Sequence, residues 1–344
     1  MSSSKELTNF IKIGTAGNDD ANKRIDRIIR TIIPSLSLGS IYKEIRQGRI
    51  RINGEKTGSG NRINAGDSIE IHKSLAEIVK KDIKAITSKK ENKKAGADES
   101  NRADFTSKVE ILFENDFFIA INKPSGILTH AGAKTNKNSP TLDDAIKKLL
   151  IKTSRQSLAF SPAPLHRLDK ETSGVVFFSK SIEGARLFTL FLREKRFIKK
   201  YIALLDGHLT KPCTWKDFLA REESPAEKEA VTHIKPLLYS SGHTLALVEI
   251  ETGRYRQIRK QCAMHGFPLS GDKYAGKKTS PKVGAVAIKQ GFLLHCWKIE
   301  LRDDKDTGAS DKLGFSSITA PLPDLFFQKI KLLFENDNIK KIFN

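Results

Sequence analysis

The run His166-Arg167-Leu168-Asp169-Lys170-Glu171-Thr172-Ser173-Gly174 places one carboxylate, Asp169, between an arginine and a Thr-Ser-Gly turn. Val175-Val176-Phe177-Phe178 follows at once and has the length and composition of a buried strand. Asp169 is therefore expected on a loop that a rigid strand holds in place, which suits a catalytic carboxylate. Two further runs could join it. In Thr252-Gly253-Arg254-Tyr255-Arg256-Gln257-Ile258-Arg259-Lys260-Gln261 a strand turns at Gly253 into a helix that ends near Gly266. Ile258 and Cys262 share one face of that helix, and Arg256, Arg259 and Lys260 lie one turn apart on another. Tyr201 sits in the alternating run Phe197 to Leu205, a strand pattern. Taken alone, such an aspartate is an ordinary salt-bridge partner and such a tyrosine an ordinary sheet residue.

Other chemistries are poorly served. A glycosidase wants two placed carboxylates, and only Asp169 stands in a distinctive context. His130, His166 and His295 lack ligand-like spacing for a metal, and there is no P-loop or dinucleotide fingerprint. Cys213, Cys262 and Cys296 form no CxxC pair and no disulfide framework. Neither a metal nor a small-molecule cofactor is expected.

The charge points to a partner. The 344 residues carry 60 Lys and Arg against 40 Asp and Glu, a formal net charge of +20. An excess of that size suits a polyanion, because bound cations neutralise phosphates and release counterions. No basic amphipathic helix, lipidation motif, apolar leader or membrane-length segment is present, so a cytoplasmic protein without membrane contact is expected.

Residues 1–20 read as a flexible tail and 21–75 as a small module. In the module Ile25, Ile28, Ile29, Ile32 and Ile33 fall at helical spacing before Pro34. Ser37 is a plausible N-cap for a second helix ending near Gly48, and strand-like runs follow around Arg49 to Ile52 and Ser68 to Ile71. Between Lys23 and Lys73 stand eleven Lys and Arg against five Asp and Glu, with Arg24, Lys43, Arg46 and Arg49 on the expected basic face. Residues 76–104 are rich in Lys, Glu, Ala and Ser without an aromatic, and read as a charged linker. From 105 to 344 strands are frequent and not separated by regular helices, which predicts an α+β domain with a largely antiparallel sheet.

The motifs together resemble the Rlu-type RNA pseudouridine synthases, the class with RluA, RluC and RluD branches. Every letter of the family pattern HRLDxxTSG is present at 166–174. Tyr201 stands in its K-x-Y-x-A setting, and 252–261 resembles G-R-T-H-Q-I-R-V-H. Ala120 to Ile127, Leu293-Leu294-His295 and Ala320-Pro321-Leu322-Pro323 resemble its smaller motifs, and 21–75 resembles an S4-type RNA-binding module, closer to the RluC branch. The resemblance implies a pseudouridine synthase that isomerises uridines in large-subunit (23S) ribosomal RNA by base flipping, with transfer RNA as the alternative substrate. A non-catalytic RNA-binding or ribosome-assembly factor on the same fold is the alternative from another class. Asp169 is then the catalytic carboxylate, Tyr201 stacks on the target base, Arg259 pairs with Asp169, and Arg167 fills the gap left by the flipped uridine. His166, Arg254, Arg256 and Ile258 are expected to contact RNA, and the family expectation is a monomer. Three departures bear on RNA contacts. They are Tyr255-Arg256 in place of Thr-His, Gln261 in place of the second His, and a compressed GDxxYG motif at Gly271 to Gly276.

Overall fold

The structure is a computed structural model that describes residues 9–88, 109–132, 140–153, 157–158, 160–221, 224–240, 242–275, 291–302, 308–334 and 339. It divides into two compact units. The first comprises Met1–Thr106, Ile146–Pro162 and Ser181–Glu183; the second comprises Ser107–Ala145, Ala163–Lys180 and Gly184–Asn344. The expected block 105–344 thus gives up two short segments to the first unit.

In the first unit, strands β1 (Phe10–Thr15), β2 (Ile50–Ile52), β3 (Glu55–Lys56) and β4 (Ser68–His72) form an antiparallel sheet in the order β1-β4-β2-β3. Helices α1 (Ile25–Ile32), α2 (Leu38–Arg46) and α3 (Ala76–Ser88) accompany it. The isoleucines that the helical spacing picks out carry the core: Ile25, Ile28, Ile29 and Ile33 are fully buried with Ile41, Ile50 and Ile69. Ser37 caps α2 as expected, accepting the Ser40 N–H at 3.2 Å.

Two expectations are corrected here. Residues 10–20 are not a tail: β1 pairs with β4, and Asp20 is fully buried and accepts the Gly17 N–H at 2.9 Å. An edge strand leaves both faces partly exposed, so its sequence alternates weakly. Residues 76–88 are helical rather than linker. Val79 of α3 joins the core, and Asp82 accepts the Ser35 N–H at 3.1 Å and its hydroxyl at 2.6 Å. Leu75, Val79, Ile83 and Ile86 fall at helical spacing, a signal that the Lys- and Glu-rich composition of the segment hides. The rest of the expected linker, 89–104, and residues 1–8 lie outside the described residues.

In the second unit the strands are β5 (Glu110–Glu114), β6 (Phe118–Lys123), β7 (Ser173–Ser179), β8 (Phe197–Asp206), β9 (Cys213–Arg221), β10 (Ser224–Ser240), β11 (His243–Ile250), β12 (Leu294–Leu301) and β13 (Ser317–Thr319). Their order is β5-β6-β7-β12-β8-β11-β10-β9, with β13 paired to β12. Among the described residues β7 with β12 is the only parallel strand pair, which matches the α+β architecture and largely antiparallel sheet expected. Helices α4 (Leu142–Thr153), which from Ile146 on is counted with the first unit, α5 (Ile182–Arg193), whose first two residues are too, α6 (Gln257–Met264), α7 (Ala309–Leu313) and α8 (Asp324–Phe334) complete the secondary structure.

Strand β7 is buried along its whole length, and Phe177 packs with Phe118, Phe188 and Phe315 at ring distances of 5.1–6.3 Å. Its parallel register sets Ser173 opposite His295 and Gly174 opposite Cys296. Gly174 has φ +112°, and a β-carbon there would lie 2.2 Å from the Cys296 carbonyl oxygen, so no other residue fits. His295 is fully buried. Its Nδ1 accepts the Ser173 hydroxyl at 2.8 Å, and its Nε2 donates to the Ala320 carbonyl at 3.1 Å. Three motifs far apart in sequence therefore meet on one imidazole.

Burial pushes the pKa of His295 from 6.5 down to about 4, so the folded chain keeps this ring neutral. Above pH 6.5 neither state protonates it, and the stabilisation is fully present. As pH falls from 6.5 towards 4 the unfolded chain binds the proton first, and stability is lost. Urea unfolding at pH 7 and 4.5 should show wild type losing about 2 kcal/mol more than His295→Gln across that interval. Parallel losses in the two proteins would disprove the assignment.

Candidate active site

The loop that carries Asp169 is held by its carbonyl groups. Thr129 Oγ1 donates to Leu168 O at 3.1 Å, and the Thr172 N–H closes a turn on Asp169 O at 3.1 Å. The Gly126 N–H donates to Lys170 O at 2.9 Å, and Ser125 Oγ to Glu171 O at 2.7 Å. Lys123, fully buried at the end of β6, donates from Nζ to Pro124 O at 2.9 Å, Lys170 O at 3.0 Å and Thr172 O at 2.7 Å. Burial pulls the pKa of its ammonium down to about 7, against the pull of Glu171 and Asp169. The Asn-Lys-Pro-Ser-Gly segment is thus a cradle for three consecutive loop carbonyls, 170 to 172; with Thr129 and the Thr172 amide all five from 168 to 172 are satisfied, and the Asp169 side chain is left to face the cleft.

That side chain opens into a cleft of about 1540 Å³, lined among others by His166, Arg167, Tyr201, Arg254, Arg256, Arg259 and Asp272. Seven of the expected site residues, Asp169 included, therefore converge. Nine Lys and Arg line the cleft against four Asp and Glu, a balance that attracts phosphates. Tyr201, on β8, is 6% exposed, and burial, then the neighbouring Cys296 thiol, raise its pKa well above the usual phenol value.

Arg259 contacts Asp169 through Nη1 at 3.3 Å, but its principal partner is Asp272. Nε and Nη2 donate to the two Asp272 oxygens at 2.7 and 2.8 Å, a bidentate pair with a carboxylate whose side chain is 2% exposed. The guanidinium also lies 4.5 Å from the Phe292 ring centroid and 4.8 Å from that of Tyr274. Arg259 is fixed first by Asp272 and the two rings, and then presented to Asp169. The Gly-Asp pair that opens the compressed GDxxYG motif was the sequence signal for this partner; the motif's last residue, Gly276, lies outside the described residues.

The remaining expected site residues divide. Arg167 is exposed, with Nη1 3.5 Å from His130 Nε2. His166 lines the cleft, yet its Nε2 accepts the Phe177 N–H at 3.1 Å and its ring stacks on Phe188, so it also anchors the loop to β7. Burial lowers its pKa well below the usual histidine value. Arg254 donates to Glu229 O at 2.8 Å, and Arg256, at φ +54°, to Tyr274 OH at 3.0 Å with its guanidinium over Tyr255. Ile258 is a correction: it is 5% exposed and does not line the cleft, because its side of α6 packs inward with the fully buried Cys262. Gln261 also turns inward, fully buried, accepting the Thr232 hydroxyl at 2.6 Å and donating to Asp217 at 2.7 Å. That departure from the family pattern therefore removes no cleft contact.

In the first unit, Lys43 and Arg46 lie exposed on α2. Arg24 is paired with Asp26 at 2.7 Å and Arg49 with Glu44 at 2.6 Å, so half of that expected basic face is neutralised internally. Sequence reasoning missed Arg193, Lys195, Lys199, Lys273 and Phe292, which also line the cleft. The period-two spacing of Phe197, Lys199 and Tyr201 was the available signal for Lys199.

A family profile described as RNA pseudouridylate synthase matches residues 117–264. The ribosomal large subunit pseudouridine synthase C of Rickettsia felis is 31% identical over 279 residues, spanning 77% of this chain and 85% of its own. That of Rickettsia conorii is 30% identical over 328 residues, spanning 91% and 98%. The solved human RNA pseudouridylate synthase domain containing 4 covers 65% of this chain and 92% of its own with a TM-score of 0.52 at 19% identity, a likeness of fold.

Replacing Lys123 by Met removes the ammonium donor from the Pro124 and Thr172 carbonyls and leaves Lys170 O with the Gly126 amide alone. Urea denaturation should show a loss of about 2 kcal/mol, and hydrogen exchange should quicken at the Gly126 and Thr172 amides. Unchanged exchange at both amides would exclude the cradle.

Proposed function

The chain belongs to the RNA pseudouridylate synthase family, and from that premise we propose that it isomerises uridines of large-subunit ribosomal RNA, with Asp169 as the catalytic carboxylate. The carrying observation is the meeting of Asp169, Tyr201 and Arg259 in one basic cleft. The names of the relatives at 30% and 31% identity support the choice of ribosomal RNA.

The isomerisation breaks the bond from uracil N1 to ribose C1′, turns the base and joins C5 to C1′. It needs neither redox chemistry nor energy input. The basic rim takes the RNA backbone by neutralising phosphates. The target uridine leaves its stack at a cost of about a few kcal/mol, and Arg167, exposed beside the loop, offers a planar guanidinium to fill the gap. Tyr201 receives the base as a stacking surface. Its raised pKa keeps the phenol protonated. Asp169 acts at the sugar from a loop that cannot shift without breaking its carbonyl bonds, and Arg259, clamped by Asp272, holds the carboxylate in aim.

The module of β1–β4 and α1–α3 is read as an S4-type RNA-binding unit in which exposed Lys43 and Arg46 grip phosphates. Arg24 and Arg49 serve its internal ion pairs first.

The test uses ribosomal RNA lacking the modification and carrying C5-tritiated uridine, with transfer RNA in parallel. Wild type should release tritium from the ribosomal RNA, and Asp169→Asn should slow release by more than about a thousandfold while still binding. Tight binding without release by wild type on either RNA would leave a non-catalytic RNA-binding factor. Release from transfer RNA alone would overturn the substrate.

A further inference from the structure

Strand β8 sends Phe197, Lys199 and Tyr201 to one face at intervals of two residues, and all three line the cleft with Asp169. Phe197 and Tyr201 are each 6% exposed, so the lysine stands between two buried rings. Its neighbour Lys200 faces the other way and is ion-paired with Glu300. Among the described residues no carboxylate pairs with Lys199. The titratable groups that act on it are the thiol of Cys296 on β12 and the imidazole of His166 on the loop before β7. Burial holds both neutral, the thiol with its pKa raised to about 12 and the imidazole with its pKa lowered. A cation on the cleft floor thus lacks a counter-charge, which is costly unless the ligand supplies one.

We propose that the Lys199 ammonium is the counter-charge for the uracil ring while that ring is detached from the sugar. This role rests on the isomerase reading above. When the N1–C1′ bond breaks, its electron pair leaves with the base, whether Asp169 takes C1′ or a sugar proton. The base becomes an anion with charge over N1 and the two carbonyl oxygens. The ring turns and an electron pair from C5 forms the bond to C1′, while Asp169 leaves C1′ with its own bonding pair or, on the other route, returns the sugar proton; C5 then gives up its proton and N1 takes one, so atoms and charge balance. Lys199 keeps its proton throughout. In a poorly solvated cleft one positioned cation stabilises such an anion far more than water-exposed cations at the rim do. Arg259 is unsuited to the task, because it already faces two carboxylates.

The test is single-turnover tritium release from the same ribosomal RNA by wild type, Lys199→Met and Lys199→Arg, with RNA affinity measured alongside and pH varied from neutral to alkaline. The Met variant should react about a hundredfold more slowly with affinity unchanged, and the Arg variant should recover most of the rate. Burial lowers the pKa of Lys199, so the wild-type rate should fall as rising pH removes the ammonium's proton. In the Arg variant that fall should move to higher pH, because the guanidinium stays charged. Weaker binding with an unchanged rate once bound would mean that Lys199 holds a backbone phosphate, and the proposal fails. It fails equally if rate and affinity both match wild type. If the Met variant does not fold, identical alkaline profiles for wild type and the Arg variant overturn it. No release by wild type removes the isomerase reading itself and this proposal with it.

Discussion

Five consecutive loop carbonyls, 168 to 172, must find donors where the chain turns beneath the cleft, and this requirement organises the second unit. Four are met by Lys123, Ser125, Gly126 and Thr129, and one by the loop's own Thr172 amide. The Lys123 ammonium is the unusual member. A buried cation is expensive, yet its three carbonyl acceptors make it a rigid post from which the loop cannot drift. The position of Asp169 therefore depends on a segment about forty residues upstream that itself contributes little to the surface of the cleft.

A second constraint acts through β7. Parallel pairing with β12 brings backbone so close at Gly174 that a side chain is excluded, and it sets Ser173 against His295. His295 in turn carries the Ala320 carbonyl. The Thr-Ser-Gly turn, the Leu-Leu-His run and the Ala-Pro-Leu-Pro run thus form one hydrogen-bonded cluster. Their common purpose is to hold the strand that follows the Asp169 loop.

The charges in the cleft have distinct duties. Arg259 is saturated by Asp272 and adds a single contact to Asp169, so it fixes geometry more than it supplies free positive charge. The exposed rim cations suit a phosphate backbone, because surface charges act cheaply and at long range. Lys199, between Phe197 and Tyr201, is neither saturated nor at the rim, and its environment is the one in which a developing anion is best stabilised.

Local signals were enough to read the HRLDxxTSG run, the buried β7 strand, the isoleucine spacing of α1 and the Ser37 cap. Each is a property of neighbouring residues: a turn glycine, a run of apolar side chains, a helical period. The same signals failed at β1, an edge strand without a buried residue, and at α3, a lysine-rich helix whose composition reads as linker. Helical spacing did place Ile258 on one face with Cys262; the family motif made it an RNA contact, and the docking of α6 turns it and Gln261 into the core. What the sequence by itself determined was the chemistry available: a lone carboxylate on a strand-held loop, a tyrosine in an alternating strand, and a charge excess of +20 suited to a polyanion. The tertiary structure alone decided which groups share a partner. Asp272 claims Arg259, Lys123 claims the loop carbonyls and, among the described residues, no acid pairs with Lys199. Partner choice depends on distances between segments far apart in the chain, and local pattern carries no information about those.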